Sequence, residues 1–129
     1  MQALIVEDNP GLAFLWSETL EDAGFACDSV DDCESAMPLV LRKRYDVVIL
    51  DLIVKDGNTL SLSDWISMRS PDTAVIMLTG AAVFRNGEHT TEASGVDWFL
   101  RKPVPPSDLR AMALYLSERK TDGARVATA

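Results

Sequence analysis

The chain alternates short apolar runs with longer segments whose apolar residues recur at helical spacing. Four consecutive apolar residues, Val47 to Leu50, predict a strand buried on both faces, and Ala74 to Leu78 repeats the pattern. Leu4 to Val6, Phe25 to Val30 and Trp98 to Leu100 predict three more strands. Leu12, Leu15, Trp16, Thr19, Leu20 and Ala23 share one face of a helix that Asn9 caps, Pro10 opens and Gly24 ends. A second helix is expected from Asp31 or Asp32 to about Lys43, with a late start or a kink at Pro38, which lacks a backbone donor. After a loop at 53–59, a third helix presents Leu62, Trp65, Ile66 and Arg69 and ends at Ser70-Pro71-Asp72. A fourth, over 82–94, has a thin apolar face broken by Asn86-Gly87, which suits a movable element of low stability. Ser107 is expected to cap a fifth, with Leu109, Met112, Ala113 and Leu116 on one face.

Strands alternating with helices argue for an α/β fold, a parallel sheet covered on both faces. Right-handed crossovers then bring every strand's carboxyl end to one edge, where such sheets bind ligands. The strand ends carry Glu7 and Asp8, Asp51, Thr79 with Gly80, and Lys102. Each alone reads as a solvated turn residue. Convergence of the set on one rim is a stronger signal.

The length of 129 residues fits one domain, expected over 1–118, with a polar, fraying tail at 119–129. Apolar residues make up 47% without a run long enough to span a membrane, so no membrane insertion is expected. The first strand follows Met1 almost at once, which leaves no room for a signal peptide and predicts a cytoplasmic protein. The net charge of -8 opposes binding to nucleic acid. Cys27 and Cys33 lack zinc-ligand partners and are expected as reduced thiols, and His89 lies in a polar stretch without matching ligands.

Three carboxylates on one rim repel, and a hard divalent cation would relieve them. Magnesium takes oxygen ligands and keeps several waters; calcium would accept the same oxygens, although no dense acidic loop marks a dedicated site. A structural salt-bridge cluster around Lys102 is the plain alternative. A carboxylate beside magnesium and a lysine is also a nucleophile toward phosphorus, with the cations stabilising charge on the transferred oxygens and the Thr79 hydroxyl donating to one of them. The product would be an aspartyl phosphate at Asp51.

Four motifs in order resemble the receiver domains of bacterial two-component response regulators: Leu-Ile-Val-Glu-Asp-Asn at 4–9, Tyr-Asp-Val-Val-Ile-Leu-Asp-Leu at 45–52, Met-Leu-Thr-Gly at 77–80 and Gly-Val-Asp-Trp-Phe-Leu-Arg-Lys-Pro at 95–103. The resemblance implies a flavodoxin-like (βα)5 doubly wound sandwich, with a five-stranded parallel sheet in the order 2-1-3-4-5. It implies that Asp51 accepts a phosphoryl group from a histidine kinase or histidine phosphotransfer protein. It implies magnesium held by Asp8, Asp51 and the Ile53 carbonyl, with Glu7 acting through a water, and Thr79, Gly80 and Lys102 around the phosphoryl group. Thr79 and Phe99 would form the switch that changes binding to a downstream protein. Trp98 should face away from Phe99, either packed on a helix or serving as the anchor of an output face with Phe84 and Val104.

Departures from the family pattern change some expectations. Lys55 takes a usual proline place and Thr59 a usual glycine place in the loop after the phosphoacceptor, and Gly57 is expected to supply the turn. Ile53 and Ala81 stand where receivers can place polar groups that orient a hydrolytic water, so slow self-dephosphorylation is expected. The chain reads as a stand-alone signalling receiver that catalyses only its own phosphorylation and dephosphorylation. Its rivals are a degenerate receiver acting by constitutive contact, which the complete acidic set opposes, and the receiver fragment of a longer regulator. A small phosphatase lacks a general acid at Ile53.

Overall fold

The computed structural model describes residues 1–80 and 95–128. The elements run β1 (Gln2–Val6), α1 (Pro10–Asp22), β2 (Ala26–Val30), α2 (Cys33–Arg42), β3 (Val47–Asp51), β4 (Ile53–Val54), β5 (Gly57–Asn58), α3 (Leu60–Arg69), β6 (Ala74–Thr79), β7 (Trp98–Arg101) and α4 (Pro106–Thr128). Five of the strands form one sheet in the order β2-β1-β3-β6-β7, every pair parallel. This is the doubly wound order expected, with β4 and β5 as a separate antiparallel pair. The helix expected over 82–94, with Phe84 and His89, lies outside the described residues, as does Ala81.

Alternation along the strands builds two cores, one on each side of the sheet. Ala3, Ile5, Val47, Ile49, Ala74, Ile76 and Leu78 face α1 and α4, meeting Trp16, Leu20, Leu109, Ala113 and Leu116. Leu4, Val6, Val48, Leu50, Val75 and Met77 face α2 and α3, meeting Ala36, Val40, Leu62 and Ile66. All of β3 and β6 is buried, which is why both strands read as continuous apolar runs. The buried stripe of α1 is narrower than its periodicity suggested, since Leu15 is exposed while Trp16 and Leu20 are buried.

The helix ends follow local chemistry. The Asn9 side chain accepts from the Leu12 N–H at 3.1 Å, Pro10 occupies the first turn, and Gly24 leaves α1 at φ +98°. Two expectations are corrected. Of the late start or kink expected at Pro38, the late start is not found: α2 starts at Cys33 behind the Asp32 cap and runs through Pro38. A proline in the second turn removes one helical hydrogen bond, and the capped first turn tolerates that loss. Ser107 is not the cap of α4: the Asp108 and Leu109 N–H groups donate to the Pro105 carbonyl at 3.0 and 3.3 Å, and Pro106 opens the helix. Proline at the first helical position needs no donor, so the start moves one residue ahead of the serine. The helix α4 is continuous across position 118, where the sequence places the domain end. Among the described residues no helix is long and apolar enough to cross a membrane.

Tyr45 leads the chain into β3 and pins it to β2. Its ring is buried and its hydroxyl donates to Asp28 Oδ2 at 2.6 Å, where Lys43 also pairs at 2.9 Å. The Tyr45 hydrogen bond first, and then Lys43, hold the Asp28 carboxyl below its ordinary 3.8. A depressed carboxyl stabilises the fold above its unfolded pKa and loses that stabilisation as pH falls through the folded value. Tyr45→Phe should therefore cost about 1 kcal/mol near pH 7, a small figure because Asp28 is 35% exposed. In urea unfolding the deficit should shrink below pH 3.8; an equal deficit at every pH would show that the contribution of the hydroxyl does not depend on the Asp28 charge.

Candidate functional site

The strand register assembles the rim. Val6 lies opposite Leu50, so Glu7 and Asp51 leave neighbouring strands at the same level. Asp51 lies opposite Leu78, and Thr79 opposite Arg101, which brings Thr79 and Lys102 to that edge. Backbone bonds fix the ends: the Lys102 N–H donates to the Thr79 carbonyl at 2.7 Å, and the Leu52 N–H to Leu78 at 3.0 Å.

Lys102 Nζ stands 2.8 Å from Asp51 Oδ1 and 4.0 Å from Glu7 Oε1. Asp51 and Glu7 retain only 7% and 3% exposure, so neither charge is relieved by bulk water. Asp8 is half-buried beside them, and one oxygen from each of the three carboxylates lies within 4.8 Å of the others. Glu7 Oε2 accepts from the Asn9 N–H at 3.2 Å, while Oε1 is buried without a hydrogen-bond partner. Burial first, and then repulsion from Asp51, push the Glu7 carboxyl up to about 7, against the lowering effects of the Asn9 N–H and Lys102.

This arrangement fits a hard cation. Three carboxylates face one ammonium, the donors are all oxygen, and the orphaned Glu7 oxygen turns toward the cluster. Among the described residues no other group of His, Cys, Asp and Glu converges in this way. Gly80 is exposed just beyond Thr79, which is itself buried at the end of β6.

The Ile53 side chain is 56% exposed on β4, in a hairpin that the sequence reads as plain loop; Gly57 supplies its turn at φ +125°. Phe99 packs against the core on the α2–α3 side. Trp98, on the opposite face of the edge strand, is 47% exposed. Val104 is a correction: it is buried in the core with Leu109 and Ala113, so it cannot belong to an output face. Its apolar side chain joins the cluster that includes Leu109 of α4.

Thr59 is a site residue that the sequence did not disclose. Fully buried, it donates its hydroxyl to the Asp51 carbonyl at 2.9 Å and its N–H to the Leu52 carbonyl at 2.9 Å. The only signal was its occupation of a usual glycine place.

The family model of the response regulator receiver domain matches residues 3–114. Response regulator protein PilR of Pseudomonas aeruginosa is 32% identical over 97% of the chain and 28% of its own length. Sensor protein GacS of Pseudomonas syringae is 27% identical over 88% of the chain and 13% of its length. The chain thus spans less than a third of either relative. A signal receiver domain from Vibrio parahaemolyticus has the same fold at a TM-score of 0.84 and 25% identity, covering 97% of this chain and 95% of that one.

The raised Glu7 pKa has a signed consequence for the metal-free protein. A carboxyl raised from 4.5 to about 7 contributes stability below 4.5 that is lost as pH rises through 7. Glu7→Gln, which cannot ionise, should stabilise the metal-free protein at pH 8 by on the order of 1–3 kcal/mol. The gain should vanish near pH 4.5. Urea unfolding in chelator measures it; destabilisation at pH 8 would show that Glu7 is relieved by a partner other than a bound cation.

Proposed function

The chain belongs to the response regulator receiver domain family of two-component signalling, and we propose that its Asp51 carries the signal as an aspartyl phosphate. The observation that supports this reading most is the 2.8 Å pair between Lys102 and a buried Asp51 at the mouth of the acidic cluster. An Asp51 carboxylate oxygen attacks the phosphorus of a phosphohistidine on a histidine kinase or phosphotransfer protein. The P–N bond breaks, and its electron pair returns to the imidazole, which takes up a proton.

Lys102 sets a positive charge where the phosphoryl oxygens arrive, and the Thr79 hydroxyl, with the chain at Gly80, receives one of them. Glu7, Asp8, Asp51 and the Ile53 carbonyl would hold Mg2+, which when bound neutralises charge on the transferred oxygens. Movement of Thr79 toward the phosphoryl group passes to β7 through its carbonyl bond with the Lys102 N–H, and Phe99 follows on the core side. Partners that distinguish the two positions of this strand would read the signal. Trp98, half-exposed on that edge strand, is the described residue best placed to be read. We place the reaction in the cytoplasm, where these donors act.

Two arrangements deliver the output. In the first the receiver stands alone and acts through a separate protein. The second, a module of a longer regulator, is favoured by relatives of which the chain covers 28% and 13%.

Incubation with magnesium and a small acyl phosphate, followed by intact-mass measurement, should add one phosphoryl group to the wild type and none to Asp51→Asn. Lys102→Ala should slow addition by on the order of 10²-fold. A folded, magnesium-binding wild type that gains no mass would overturn the phosphoacceptor role in favour of constitutive binding.

The apolar Ile53 offers no group to orient a hydrolytic water, so the label should decay slowly once the donor is removed. Ile53→Asn supplies such a group and should shorten the lifetime. Rapid loss from the wild type would show that water is positioned by something else.

A further inference from the structure

The loop between Asp51 and α3 lacks the proline and glycine that the family pattern often places there, yet it is tied down at three levels. At its base Thr59 holds two successive carbonyls: its hydroxyl donates to Asp51 at 2.9 Å and its N–H to Leu52 at 2.9 Å. In its middle Ile53 pairs with Asn58 and Val54 with Gly57. At its tip Asp56 reaches across to α2, where Oδ1 accepts from the Cys33 N–H at 3.0 Å and Oδ2 from the Glu34 N–H at 3.1 Å. Lys55, beside it, pairs with Asp31 at 2.5 Å.

Helix capping alone does not explain these contacts. Thr59 is the cap residue of α3, but its side chain makes no capping bond and turns instead to the phosphoacceptor's own carbonyl. The start of α2 already has a local cap in Asp32, which accepts from the Ser35 N–H at 2.7 Å. Asp56 takes the two remaining first-turn donors from 22 and 23 residues away, so the tip of the loop is fastened to a different layer of the fold.

We propose that Thr59 and Asp56 are positioning residues that fix the 52–58 hairpin from its two ends, and so hold the Asp51 backbone and the Ile53 carbonyl in the geometry that receives the cation. The proposal rests on the function proposed above, because it assigns the loop to the same site. Neither side chain touches the reacting atoms. Thr59 acts through the peptide groups of Asp51 and Leu52, and Asp56 through the hairpin that carries Ile53. Hydrogen bonds supply here the stiffness that a proline in the loop would otherwise supply through the backbone itself.

Calorimetric titration of the unphosphorylated protein with Mg2+ tests this without phosphoryl transfer. Thr59→Val and Asp56→Ala should each weaken Mg2+ binding about five- to tenfold; Thr59→Ser, which keeps the hydroxyl donor, should recover most of the loss, and Asp56→Asn, which keeps one of the two acceptor oxygens, should recover part of it. The rate of phosphorylation of Asp56→Ala at saturating Mg2+ should return to within about twofold of wild type, which separates a positioning defect from a general one. Asp56 is exposed, so its variants keep the test readable if Thr59→Val fails to fold. Affinities of folded Asp56→Ala within about twofold of wild type would overturn the role of the tip, whatever happens to its melting temperature. The same result for folded Thr59→Val would overturn the role of the base. If wild type binds Mg2+ but accepts no phosphoryl group, the phosphoacceptor reading fails while the affinities still decide this one; if wild type binds no Mg2+, both fail.

Discussion

Three carboxylates held at the edge of an apolar sheet, with one ammonium among them, are the constraint on which the site depends. In water such groups would separate. Here Glu7 and Asp51 leave adjacent strands whose register is set by buried side chains on both faces, so they cannot move apart without breaking the core. Lys102 relieves Asp51 at 2.8 Å but stands 4.0 Å from Glu7, and the unsatisfied Glu7 oxygen records the remaining imbalance. The fold thus carries at its rim a strain that a cation or a proton can relieve.

The same rigidity determines where a response can go. The strands β1, β3 and β6 are buried almost throughout, whereas β7 is an edge strand of exposed and half-buried residues with one hydrogen-bonded neighbour in the sheet. On its β3 side Thr79 borders a packed core, whereas on its β7 side it meets fewer fixed contacts. The bond from the Lys102 N–H to the Thr79 carbonyl makes the two strand ends move together. On the proposed function, the side of the molecule that reports phosphorylation is therefore chosen by differences in burial, before any partner is considered.

Much of this was legible in the sequence because the governing patterns are local. Continuous apolar runs marked β3 and β6, Asn9-Pro10 and Gly24 bounded α1, and the order of strand-end residues foretold the rim. The errors fall where a neighbour in sequence competes with a neighbour in space. Ser107 is a good cap by type, but Pro106 suits the first helical position better. From the sequence Val104 groups with Trp98 and Phe84 on an output face, because nothing local reveals that it joins the cluster of Leu109 and Ala113. Thr59 and Asp56 read as ordinary loop residues, since the groups they hold lie 8 and 22–23 residues away.

Those two residues also bear on what a family resemblance transmits. A proline restrains a loop by removing backbone freedom, and it does so regardless of what surrounds the loop. A hydrogen-bonded latch restrains it only while both partners stay in place, so its strength depends on α2 and on β3. On the proposal above, replacing the first device by the second leaves the acidic set and Lys102 unchanged but makes the geometry of the site answerable to α2. On the proposed function, the acidic set and Lys102 specify which chemistry the rim can perform, whereas the loop would specify how firmly that chemistry is held and which neighbouring element can loosen it.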